Sequence, residues 1–242
     1  NGVTIAYEDS GKGETTIVFI HGFPFNKRIW KSQLDDLKKT YRVVAYDVRG
    51  YGKSTLGSDI ASMDLFANDL VALMNALNID KAIVCGCSIG GYLVMNAVSL
   101  FPHRFEALIL SDTQCVFDSN EAPENSYRKI KQGESNSTER FAEHIANRIF
   151  TNSSREHRPM LVSEMKTHFL TTQVTAIASA LHALAHRPKR AESPALIICG
   201  HEDPLTSAWP WPIIENDSHL CNIDQPEAFT AHIHNFLPGF LS

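Results

Sequence analysis

A serine between glycines, Gly86-Cys87-Ser88-Ile89-Gly90-Gly91, stands directly after an apolar run and directly before a helical pattern. A hydroxyl held in so tight a strand-to-helix turn is presented above the end of its strand. The helix N-terminus there favours developing negative charge. Residues two before and two after the serine must be small, because such a turn packs against its neighbours; both are glycine. The hydroxyl needs a base, and the base needs a carboxylate to orient it. Gly200-His201-Glu202-Asp203-Pro204 follows a second apolar run, and Asn216-Asp217-Ser218-His219-Leu220 a third. The spacing predicts Ser88 as nucleophile, His219 as base and Asp203 as acid, in the chain order this turn requires. A fourth run leads into His21-Gly22-Phe23-Pro24. A sharp turn there aims the backbone N–H of Phe23 at the same point. With the N–H of Ile89 it supplies two donors for an oxyanion.

Rival readings concern the same chemistry. Asp112 closes the run 107–111 and is a second candidate for the acid. Glu202 lies one residue off its turn, and His201, His232 and His234 read as surface or helix residues. Gly52-Lys53-Ser54 imitates the end of a phosphate-binding loop, but that loop needs a glycine where this chain has Asp47, and a carboxylate would repel the ligand. Asp47 and Arg49 are instead expected to pair and brace the loops. Cys85 and Cys87 lack a second pair of ligands, so no metal is expected, and the chemistry asks for no cofactor.

These groups need a scaffold that brings them to one edge. The runs 16–20, 42–46, 82–86, 107–111 and 195–199 are short, nearly continuous in apolar and β-branched residues, and suit parallel strands covered on both faces. Residues 212–215 read as a last strand. Residues 3–8, followed by Gly11-Lys12-Gly13, suggest an antiparallel hairpin at one edge. Helices are expected at Phe66–Leu77, capped by Ser62 or Asp64, at 89–100 and from Pro226. Strand-helix alternation predicts an α/β fold with a mostly parallel twisted sheet, whose ligands bind at the C-terminal strand ends. The alternation stops at residues 115–193, a polar stretch with helical patterns at 139–150 and 174–185. This predicts a core of 1–114 and 194–242 and a helical cap of 115–193, with Phe141, Phe150, Met165 and Phe169 as candidate lining residues. Only 15 residues separate Asp203 from His219, too few for a helix-containing parallel crossover. Either that helix is lost or a segment near 207–211 is missing.

The composition narrows the partners. The chain has 242 residues, 43% hydrophobic and 20% charged, with 22 Lys+Arg against 27 Asp+Glu and a net charge of −5. That excludes a disordered or fibrous chain and gives no electrostatic footprint for nucleic acid or an anionic membrane. No apolar run nears the roughly 18–20 residues of a membrane span. No charged-then-apolar signal segment is evident, and five scattered cysteines suit reduced, packed thiols. The expectation is a cytoplasmic protein whose partner is a small molecule.

Taken together the motifs resemble the α/β-hydrolase family over nearly the whole chain. His21-Gly22-Phe23-Pro24 is similar to its oxyanion turn, and Asp47-x-Arg49-Gly50-x-Gly52-x-Ser54 to the loop after the next strand. Gly86-x-Ser88-x-Gly90-Gly91 is similar to its nucleophile elbow, Gly200-x-x-Asp203 to its acid turn, and His219 to its base. His186-Arg187-Pro188 and the general spacing resemble the 3-oxoadipate enol-lactonase and small carboxylesterase branch. The resemblance implies hydrolysis of a small ester or lactone through an acyl-enzyme, without cofactor. Two other outcomes share the same residues: a small-molecule sensor with little turnover, and a cofactor-free perhydrolase.

Overall fold

The computed structural model describes residues 2–58, 61–113, 137–185, 195–201, 203, 213–215, 217 and 219–240. Uninterrupted apolar runs become the strands β2 (Thr16–Ile20), β3 (Arg42–Tyr46), β4 (Ala82–Cys87), β5 (Phe105–Ser111), β6 (Ala195–Gly200) and β7 (Ile213–Ile214). All six lie parallel, in the order β3-β2-β4-β5-β6-β7. Every residue of β2 and β4 is buried, as strands covered on both faces require. β1 (Tyr7–Ser10) runs antiparallel along the outside of β3, from Tyr7 opposite Tyr46 to Ser10 opposite Val43. An antiparallel edge strand therefore forms, at Tyr7–Ser10 rather than the expected 3–8, and the expected hairpin does not. β2 is already bonded by β3 on one side and β4 on the other, so β1 can only add beyond β3.

Alternate strand residues feed two cores. Val18, Val44 and Val84 meet α2 (Met63–Ala76) and α3 (Ile89–Leu100) through Phe66, Leu70 and Leu93. Ile17, Phe19 and Ile83 face the opposite way, toward α1 (Lys31–Leu37) and toward Phe229 and Ile233 of the C-terminal helix Pro226–Phe236. Trp30 is wedged there, its ring 5.1 Å from Phe19 and 5.9 Å from Phe229. α2 starts where its cap predicted, Ser62 Oγ accepting from the Leu65 N–H at 3.1 Å.

Between β5 and β6 the described chain is helical: α4 (Ser137–Ile149), α5 (Asn152–His157), α6 (Pro159–Thr171) and α7 (Val174–Ala185). α4 and α7 were legible from periodicity. α5 and α6 were not: α5 is short, and α6 opens on Pro159. Phe150 and Met165 pack into the Phe19 core and Phe169 into a smaller cluster with Ile177 and Leu181, and all three line a small cavity of about 10 Å³ beside Pro24 and Phe25. The side chain of Phe141, and the expected lost helix or missing segment within 204–212, lie outside the described residues. α8 (Cys221–Asp224) follows His219 almost at once and leads into α9 (Pro226–Phe236).

Candidate active site

Ser88 follows β4 at the centre of the sheet with φ +51° and ψ −116°, a strained conformation for a residue with a side chain. The crowding explains the flanking glycines. A Cβ at Gly86 would strike the backbone of Gly90 and Gly91, one at Gly90 the carbonyl of Ile20, and one at Gly91 the side chain of Thr113. The Ser88 N–H is spent on the Ser111 carbonyl at 2.9 Å, which pins the turn to the neighbouring strand.

Asp203 lies just beyond β6 and His219 just beyond β7, so both reach the same sheet edge as Ser88. His219 Nδ1 donates to Asp203 Oδ2 at 2.9 Å, and Ser88 Oγ donates to His219 Nε2 at 2.9 Å. A carboxylate only accepts, so the hydrogen sits on Nδ1 and Nε2 is left with its lone pair toward the hydroxyl. Asp203 is fully buried and His219 nearly so. Asp112, the rival acid, makes other bonds. Its oxygens accept from Ser111 Oγ at 2.8 Å, Cys221 Sγ at 3.1 Å and the Gly200 N–H at 3.3 Å. Burial pushes its pKa up to about 6, Asp203 adding to the rise and His219 opposing it.

The turn at Phe23 is built on His21. His21 Nε2 accepts from the Val48 N–H at 2.9 Å, so Nδ1 carries the hydrogen and donates to the Gly22 carbonyl at 2.9 Å. Burial lowers its pKa to about 4, which keeps the ring neutral in that role. Phe23 is joined to Pro24 by a cis peptide bond and directs its ring at Tyr51 and Phe169, 6.4 and 6.0 Å away. Ile89 begins α3, so its N–H lies at the helix start. Between these two residues lies an apolar cavity of about 10 Å³, lined by Phe23, Tyr51, Phe66, Ile89, Leu93 and Ala180 among others. That is room for roughly one water.

Asp47 and Arg49 do not pair with each other. Asp47 accepts from Lys27 Nζ at 2.9 Å and from the Lys27 and Lys53 N–H groups, while Arg49 makes a buried two-bond pair with Asp69, Nη2 to Oδ1 at 2.7 Å. Sequence reading missed Lys27 and Asp69 because both lie about 20 residues away from their partners. It also missed the Tyr51 hydroxyl, which donates to the Ala176 carbonyl on α7 at 3.1 Å. The described cysteines, Cys85, Cys87, Cys199 and Cys221, are buried and form no disulfide. Among the described residues no cluster of three or more His, Cys, Asp or Glu could hold a metal. No described helix is long and apolar enough to cross a membrane. His201 is exposed beside Glu215, His234 pairs with Asp36 and His232 lies on α9; Glu202 is outside the described residues.

A family model for the alpha/beta hydrolase fold matches residues 15–210. The chain belongs to that family. Among α/β-hydrolases it is similar to 3-oxoadipate enol-lactonase 2 of Acinetobacter baylyi, at 26% identity over 98% of this chain and 94% of the relative. Two solved α/β-hydrolase structures superpose closely. A thermophilic esterase from Thermogutta terrifontis has a TM-score of 0.91 at 27% identity, covering 99% of this chain and 95% of its own. The enol-lactonase from Burkholderia xenovorans has 0.89 at 26% identity, covering 98% of each. The expected kinship with the enol-lactonase and small-esterase branch is borne out.

Proposed function

We propose that this α/β-hydrolase cleaves small carboxylic esters or lactones through an acyl-enzyme on Ser88. The observation that carries the reading is the continuous hydrogen-bonded line from Ser88 Oγ through His219 to the buried Asp203. His219 Nε2 takes the Ser88 proton as Oγ attacks the substrate carbonyl. Asp203 holds the ring in that tautomer and stabilises the imidazolium. The N–H groups of Phe23 and Ile89 receive the oxyanion. The imidazolium returns its proton to the leaving alkoxide, and water then releases the acid by the same route. A lactone differs only in that its leaving hydroxyl stays tethered. No cofactor enters the scheme.

The helices within 115–193 serve as a cap over a core of 1–114 and 194–242, and supply Ala180 to the cavity wall. A cavity this small and apolar supports a short, uncharged acyl group. The buried, unbridged cysteines support a reducing, cytoplasmic setting.

The test is Ser88→Ala on p-nitrophenyl acetate. A fall in kcat of roughly 10³-fold or more with unchanged circular dichroism is expected. Wild-type turnover in that variant overturns the assignment. Stoichiometric acylation by the native protein without release would favour the sensor.

A further inference from the structure

Asp203 is not the only group that holds the base. The backbone N–H of His219 donates to the carbonyl of Ile149, the last residue of α4, at 3.2 Å. A short way along the same segment, Ser154 Oγ donates to Oδ2 of Asp224, the last residue of α8, at 2.8 Å. Both side chains are buried. Ser154 is fixed in turn by the α5 cap, its N–H donating to Thr151 Oγ1 at 3.0 Å. Arg158 closes the far end of the joint, Nη1 lying 3.5 Å from Asp224 Oδ1 and 3.4 Å from the Ile223 carbonyl. Residues 149–158 and 219–224 are thus joined at both ends, and His219 stands at one end of the joined pair.

We propose that Ser154 and Asp224 are positioning residues for His219, clamping α5 to α8 so that the imidazole is held at hydrogen-bond distance from Ser88. The proposal rests on the serine-hydrolase reading. Its warrant is geometric. The segment bearing His219 is short, and a displacement of about 1 Å at a reacting group costs roughly 10²-fold in rate. A hydroxyl bonded to a buried carboxylate makes a charge-assisted hydrogen bond, roughly twice as strong as a neutral pair, and Ser154→Ala takes that donor from Asp224. The clamp also means that the inserted helices cannot lift as one rigid lid without carrying the base away.

The experiment compares Ser154→Ala, Ser154→Thr and Arg158→Met with Lys166→Ala. The last breaks an exposed ion pair to Glu143 within the same helical segment and serves as control. Two quantities are read: kcat and KM on p-nitrophenyl acetate, and the rate constant and amplitude of Ser88 labelling by a fluorophosphonate. A merely structural role lowers the labelling amplitude, because fewer molecules are folded. A positioning role lowers the rate constant of the molecules that do label. For Ser154→Ala we expect the labelling rate constant and kcat to fall about ten-fold or more, with KM within about two-fold. Ser154→Thr should restore most of the rate, and Lys166→Ala should match wild type. Arg158→Met, at the solvent side of the joint, should fall several-fold and answers the question if Ser154→Ala does not fold. A wild-type labelling rate constant in Ser154→Ala or Arg158→Met overturns the clamp, as does an equal loss in Lys166→Ala. Turnover surviving in Ser88→Ala would instead remove the serine reading on which the clamp rests.

Discussion

Cys221 Sγ donates to Asp112 Oδ2 at 3.1 Å, tying the helix after His219 to the end of β5. The carboxylate at this joint is buried, and that burial raises its pKa to about 6, above the ordinary aspartate value near 4. The groups that face it are Ser111 and Cys221 as donors, the Gly200 N–H, and the charges of Asp203 and His219. The folded state therefore binds a proton that the unfolded chain has lost between about pH 4 and pH 6. Stability falls as pH rises through that window, and the penalty is complete above it. Asp112→Asn carries no such penalty. Its melting temperature relative to wild type should climb between pH 4 and pH 7, by an amount corresponding to at most about 3 kcal/mol. Melting curves giving the same offset at both pH values would contradict this.

Asp203→Asn should lose roughly 10³- to 10⁴-fold in kcat, because an amide can present the wrong tautomer of His219 to Ser88. KM should change little. Asp112 offers no rescue, since its oxygens already accept from Ser111, Cys221 and Gly200. Steady-state kinetics that show less than a ten-fold loss would argue for a different acid.

Gly91→Ala drives a methyl group into the Thr113 side chain, whereas Gly239→Ala meets nothing within 4 Å. Overpacking of this kind costs about 1–3 kcal/mol. For a chain of this length that is a melting shift of roughly 2–12 °C. The Gly239 variant should melt within about 1–2 °C of wild type. Equal shifts in the two, read by calorimetry, would disprove the packing argument.

Phe66→Leu opens the cavity beside Phe23 and Ile89. Two further methylenes buried at about 0.8 kcal/mol each are worth roughly ten-fold, so the butyrate-to-acetate ratio of kcat/KM should rise by up to that factor. An unchanged ratio across p-nitrophenyl esters would show that the acyl group binds elsewhere.

Much of this site was legible because local sequence dictates it. Gly86, Gly90 and Gly91 announce a turn that only small residues allow, and the apolar runs before Asp203 and His219 place both at one sheet edge. What could not be read depends on partners far along the chain. Arg49 finds Asp69 rather than the nearby Asp47, and Ser154 finds Asp224 seventy residues on. His21 looked like part of a turn, but its role as a neutral brace depends on the Val48 N–H from the next strand's loop. The β1 pairing was misread for a similar reason: local turn residues suggested a hairpin, while sheet order decided the neighbour.

The two rungs between β6 and β7, Cys199 to Ile213 and Gly200 to Ile214, contrast with the six that join β4 to β5 and the four that join β4 to β2. Among the described residues the nucleophile thus follows one of the two most heavily laddered strands, and the base follows the least. Segments with few ladder bonds open at lower free energy than the whole molecule. On warming, local opening should carry His219 away while Ser88 still sits on an intact sheet. Thermal inactivation would then precede global melting and be reversible on cooling. Amide exchange would show it directly, with Ile214 exchanging well before Cys85.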